Sequence, residues 1–167
     1  MRKTREIFIV LLLICGCKKA QETSKDTSDE VQSFDYQKLP KKIEMNQDAV
    51  VILDGWEEFK ELTKSIDVLY RSTNNEDLSL AIDDLLEKEK KLSQGKYPEL
   101  FDTFQIKSRQ RVFKTSLLKV KSSILNKVDT TGPTVEMLNA YNIIRQQFNS
   151  ILSSQLDTKL ILDASEP

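Results

Sequence analysis

Between Trp56 and Leu152 apolar residues recur three and four positions apart in four successive runs. That period restricts the chain to helices that bury one face against each other. In the first run Trp56, Phe59, Leu62, Ile66, Leu69 and Tyr70 share a face. Asp54-Gly55-Trp56-Glu57 has the form of a capping residue with its reciprocal Glu, so the spacing predicts a helix over 54–72. Ala49-Val50-Val51-Ile52-Leu53 reads as a short apolar approach to it. The second run, Leu78, Ala81, Ile82, Leu85, Leu86 and Leu92, predicts a helix over 75–92, capped by Asn74 or Asn75 and opened by acidic Glu76-Asp77. Ile106, Phe113, Leu117, Val120, Ile124 and Val128 predict a third over 105–128. Met137 or Leu138, Tyr141, Ile144, Phe148, Ile151 and Leu152 predict a fourth over 133–155, capped by Thr131 or Thr134 with Pro133 tolerated at its start.

Four glycines and four prolines in 167 residues leave too few turn signals for an all-β sandwich. Short links force neighbouring helices to run in opposite directions. The expected fold is all-α, an antiparallel four-helix bundle over 49–156 followed by a loose tail over 157–167. The length allows one such domain and a tail. Ahead of the bundle, residues 17–48 are polar and charged, with too little apolar surface to offset the entropy of ordering, and read as a flexible tether. Phe34, Tyr36 and Leu39 interrupt that polarity. Loose packing is the expectation for them, docking onto the body or a partner the other reading.

The start of the chain carries an address. Arg2, Lys3 and Arg5 precede the apolar run Ile7–Ile14, which falls well short of the roughly 20 residues a membrane span needs. Ile14-Cys15-Gly16-Cys17 resembles the lipobox of bacterial lipoprotein precursors. The resemblance implies that residues 1–16 are a signal peptide, that cleavage falls between Gly16 and Cys17, and that Cys17 carries diacylglycerol and further acylation such as palmitate. Several acyl chains hold a protein on a membrane far more firmly than one. Cleavage also leaves Cys17 as the last cysteine, so the mature chain forms no disulfide. The resemblance further implies a place in the cell envelope. Lys18, where enteric inner-membrane lipoproteins carry Asp, implies the outer membrane.

Catalytic equipment is sparse. The chain has no histidine, which removes the commonest general base and the Glu-x-x-His pair of di-iron bundles. Neither a haem-attachment motif, a phosphate-binding glycine loop nor a nucleophile elbow is present. Asp83, Asp84 and Glu87, with Glu76 and Asp77 before them, read as a solvated helix face and not as a calcium loop. No enzyme activity, metal or cofactor is expected. Loss of Arg2, Lys3, Arg5 and Glu6 takes 25 basic and 26 acidic residues to 22 and 25, and that acidic balance argues against nucleic acid as a partner.

The third helix is the departure. Lys107, Arg109, Arg111, Lys114, Lys119, Lys121 and Lys127 occupy a segment without a single acidic residue, while the first two helices are rich in them. Lys107, Arg111, Lys114 and Lys121 project to one side, next to the apolar face. Complementary pairing inside the bundle accounts for this. A ridge left partly free would instead meet phosphates of the anchoring membrane or an anionic envelope polymer. The functional expectation is a membrane-anchored interaction or scaffolding module with an envelope protein or polymer as partner. Its rival is a ligand-binding or chaperone-like bundle. Leu62-Thr63-Lys64-Ser65-Ile66 begins like the Leu-Thr-x-x-Gln motif of periplasmic helical chaperones and lacks its Gln.

Overall fold

Five α-helices and two short 3₁₀ turns make up the computed structural model, which describes residues 34–163, with side chains through residue 155. The expected all-α class holds. The expected signal peptide, Gly16, Cys17 and the first part of the expected tether lie outside the described residues. After a 3₁₀ turn at Tyr36–Lys38 come α1 (Gln47–Asp54), α2 (Glu57–Leu69) and α3 (Asn75–Gln94). A second 3₁₀ turn, Glu99–Phe101, leads to α4 (Phe104–Leu125) and α5 (Thr131–Asp163). Among the described residues no helix is long and apolar enough to cross a membrane.

Several boundaries follow local chemistry that the apolar pattern alone did not expose. Residues 49–54 are helical, because the Asn46 side chain accepts from the Asp48 and Ala49 amides and Ala49 and Leu53 are buried. Asp54 therefore ends α1 instead of capping the next helix. Trp56 takes the capping position of α2 without a side-chain hydrogen bond. Asn74 caps α3 as expected, accepting from Asp77 N at 2.8 Å.

The third helix stops at Leu125, short of Val128, which is exposed. Lys127 N donates to the Ile124 carbonyl and Val128 N to that of Ser123, both at 3.1 Å, which is a Schellman closure. Lys127 sits at its left-handed position, φ 52°, where glycine is the unstrained residue. Neither Thr131 nor Thr134 opens α5. The Asp129 carboxylate does, accepting from the Thr131 and Gly132 amides. The helix then continues to Asp163, so the backbone of the expected loose tail is helical that far.

Paired side chains fix the direction of each helix. Glu61 and Ser65 of α2 meet Lys88 and Asp84 of α3. Asp83 and Glu89 of α3 meet Lys121 and Lys114 of α4. Arg109 and Lys119 of α4 meet Gln147 and Glu136 of α5. In every pair one number rises as the other falls, so from α2 to α5 each helix runs antiparallel to the next. Phe59 and Thr63 of α2, against Phe148 and Tyr141 of α5, join first to last in the same sense.

Between the four lies an aromatic core. Phe148 packs edge-on to Phe59 with centroids 5.1 Å apart and lies 4.4 Å from Phe101. Trp56 stacks on Phe59 at 5.5 Å. Such offset and edge contacts add to the apolar area removed from water.

The expected flexible tether is corrected over residues 34–48. Phe34 is 2% exposed and belongs to the core. Asp35 N donates to Thr131 Oγ1 at 3.0 Å, and the following extended stretch runs along α5 as a strap, which then enters α1. One buried aromatic and a series of backbone hydrogen bonds offset the ordering entropy of these few residues. The polar composition concealed both.

Candidate functional site

Two faces of the body carry chemistry. The first is the outward side of α4. Lys107, Lys114 and Lys121 recur every seven residues, and so do Phe104, Arg111, Leu118 and Leu125 beside them. Seven residues are nearly two helical turns, so each set forms a stripe.

All three lysines of the expected ridge are paired within the bundle. Lys107 pairs with Asp102 and lies 5.1 Å from the centre of the Tyr97 ring. Lys114 lies 3.2 Å from Glu89, and Lys121 2.7 Å from Asp83. Arg111 differs. It is exposed, and its guanidinium covers the Phe104 ring at 5.8 Å. The carboxylates of α3 are likewise engaged, Asp84 by Ser65 and Glu87 by Lys91.

Where the basic stripe meets α3, Lys107, Arg111 and Lys114 line a cleft of about 410 Å³. Its floor is Glu89, only 1% exposed. Gln110 Nε2 donates to Glu89 Oε1 at 3.2 Å, and the Gln110 carbonyl oxygen accepts from the Tyr97 hydroxyl. Burial raises the pKa of that hydroxyl against the lowering effect of Gln110, which keeps Tyr97 a donor. Lys114 is near enough to Glu89 Oε2 to balance its charge but is not aligned for a hydrogen bond.

Next to the basic stripe, Phe104, Leu118 and Leu125 are 75%, 51% and 69% exposed. Apart from Val128, the apolar pattern selected inward residues of α4 correctly. It left these outward ones unremarked, although their spacing is visible in the sequence.

The second face is α5 beneath the strap. Asn142 donates from Nδ2 to the Lys41 carbonyl and accepts at Oδ1 from Ile43 N, both at 2.9 Å. Asn149 repeats the arrangement one position set later, donating to the Glu44 carbonyl at 3.0 Å and accepting from Asn46 N at 2.9 Å. Each side-chain amide thus spans a carbonyl and the amide two residues on, which is how an extended backbone can be read without regard to its sequence. Between them Arg145 Nε donates to the Ile43 carbonyl at 2.6 Å. From α2's C-terminal end the Tyr70 hydroxyl donates to the Pro40 carbonyl at 2.7 Å, and burial raises its pKa.

Alongside the strap opens a cleft of about 460 Å³, with Met45, Val50, Leu53 and Phe59 among its walls and Arg145 and Thr63 among its polar residues. Sequence reasoning missed this face. Its one signal was Asn142, Arg145 and Asn149, three polar residues on a single side of the helix.

Comparison with protein-family models, with curated proteins and with solved structures found no match.

Proposed function

We propose that this protein is a bacterial envelope lipoprotein, lipidated on Cys17, whose helical body is a non-enzymatic interaction module. In this reading α4 receives an acidic amphipathic helix of another envelope protein. One observation carries it: Phe104, Leu118 and Leu125 stand exposed in a row beside Lys107, Arg111 and Lys114. Exposed apolar residues rimmed by charge favour a protein partner, and the rim selects an acidic one. The lysines hold their own carboxylates, which leaves Arg111 as the strongest electrostatic contact for the partner. An anionic polymer or membrane phosphate would need those pairs to open.

The anchor belongs to the same proposal. With the strap docked from Phe34 on, residues 17–33 alone connect lipid to body, a reach of at most roughly 60 Å. The partner therefore lies in, or close to, the same membrane, and the outer membrane is the destination we favour from Lys18.

Intact mass of the membrane-extracted protein tests the anchor: cleavage before Cys17 plus acyl chains is expected, and a Cys17→Ser variant should leave the membrane fraction or stay uncleaved. A soluble, unlipidated product would refute it. A photo-crosslinking residue in place of Leu118 tests the surface. The expected adduct is with a segment combining acidic and apolar residues, lost in Arg111→Glu with Leu125→Asp. An adduct confined to lipid or polymer, or one indifferent to those changes, would overturn the α4 assignment. A ligand-binding bundle is the second reading, favoured by the cleft beside the strap.

A further inference from the structure

The cleft beside the strap contains a buried cation whose hydrogen-bond partners among the described residues are neutral. Arg145 is 8% exposed, and among the described residues no carboxylate lies within ion-pair distance of it. Its hydrogen bonds are to the Ile43 carbonyl through Nε and to the Tyr141 hydroxyl through Nη1 at 3.4 Å, with the guanidinium 5.7 Å from the Tyr141 ring. Both partners are neutral. Removing a cation from water is costly unless an opposite charge accompanies it, and holding a strap carbonyl needs only a neutral donor. Arginine supplies five donors in a planar fork suited to a carboxylate or phosphate.

The surroundings fit the same ligand. Lys42, Lys60 and Lys64 also line the cleft, against Glu44 and Asp54. Lys42 is taken by Asp67 and Lys64 by Glu61, while Asp54 lies 4.0 Å from Lys60. Thr63 Oγ1 lies 3.0 Å from the Tyr141 hydroxyl, which continues to Arg145 as a polar floor. Met45, Val50, Leu53 and Phe59 supply the cleft's apolar walls. About 460 Å³ lies toward the small end of the roughly 300–1,000 Å³ that ligand clefts span, room for one acyl chain.

From these observations we infer that the cleft bounded by the strap, α1, α2 and α5 binds a single-chain anionic amphiphile, its head on Arg145 and its tail against Val50, Leu53 and Phe59. This inference is independent of the α4 surface. Met45 and Lys42 belong to the strap, so the ligand also touches the strap.

Decanoate, decanol and decyltrimethylammonium, titrated into the full chain carried in phosphatidylcholine nanodiscs, test it. Calorimetry gives the affinity. Trp56, the single tryptophan, stacks on the cleft residue Phe59 and should report binding by fluorescence. Saturable binding of one decanoate per chain is expected, at least tenfold tighter than decanol, with the cation weaker still. Arg145→Gln should lose tenfold or more for decanoate and little for decanol. Since Arg145 also holds the strap, Val50→Glu provides a second variant at a half-exposed wall, and it too should lose tenfold. Phosphatidylglycerol nanodiscs distinguish the source of the anion. Weakened decanoate binding there would assign the site to a membrane headgroup, and unchanged affinity to a free amphiphile. Equal affinity for decanol and decanoate, or wild-type decanoate binding by both variants, would overturn the assignment.

Discussion

The outer face of α4 and the strap face of α5 both hold polar side chains in fixed partnerships, but of opposite kinds. On α4, long lysines reach carboxylates at a wet surface: Lys121 and Asp83 keep 26% and 53% of their side-chain area exposed. On α5, Asn142 and Arg145 are buried and grip the backbone of the strap. Exposed ion pairs contribute between nothing and about 1 kcal/mol each, because water screens them and two flexible chains must be held. A buried donor or acceptor left without its partner costs about 1–3 kcal/mol. The strap face therefore holds the architecture together, and the α4 face is freer to exchange partners.

Breaking the strap at its buried pin gives the largest expected effect. Phe34→Ala should destabilise the fold by about 3 kcal/mol, read as a lower urea midpoint. A loss of only a few tenths would return residues 34–48 to the status of a tether. Asn142→Ala strands the Lys41 carbonyl and the Ile43 amide and should cost about 2 kcal/mol, with faster hydrogen exchange at Ile43 as its local signature.

Within α4 the contrast repeats on a smaller scale. Lys114→Ala leaves the buried Glu89 carboxylate without its cation and should cost about 2 kcal/mol. Lys121→Ala should cost less than about 1 kcal/mol in the same assay. Equal effects would dissolve the distinction between the two pairs. Relief of the left-handed backbone at the end of α4 runs in the other direction. Lys127→Gly should raise stability by about 1 kcal/mol, since glycine adopts positive φ without the steric cost.

The smallest effect concerns pH. A hydrogen bond and charge from Lys64, with Lys88 assisting, hold the Glu61 pKa below the usual carboxylate value. A depressed carboxylate stabilises the fold above its unfolded pKa, and that contribution disappears as pH falls through the folded value. Glu61→Gln should therefore lower the melting temperature slightly at neutral pH and leave it unchanged in strong acid. A larger difference in acid than at neutrality would reverse the sign.

Much of the body was legible from Trp56 onward. Leu78, Ile82 and Leu85, or Phe113, Leu117 and Val120, repeat at the helical period and are buried together. Asn74 announces its helix through a side chain that can bond the first turn. Boundaries failed where a different residue could do the same work. Asp129 outcompetes the threonines after it, and Asn46 starts a helix from Ala49-Val50-Val51-Ile52-Leu53, a run whose β-branched residues favour extended chain.

The candidate sites were legible unequally. The basic stripe of α4 stood out because charge is a property of each residue. Its occupancy by Glu89, Asp83 and Asp102 did not, because those partners come from other elements. Helix class and most of the inward faces rest on residue type and local spacing, and the sequence determines them by itself. The docking of residues 34–46 and the burial of Arg145 beside a cleft were decided only by the tertiary structure. Every residue but proline carries the same backbone donor and acceptor, so beyond Phe34 a strap held by its main chain leaves little mark in its own side chains.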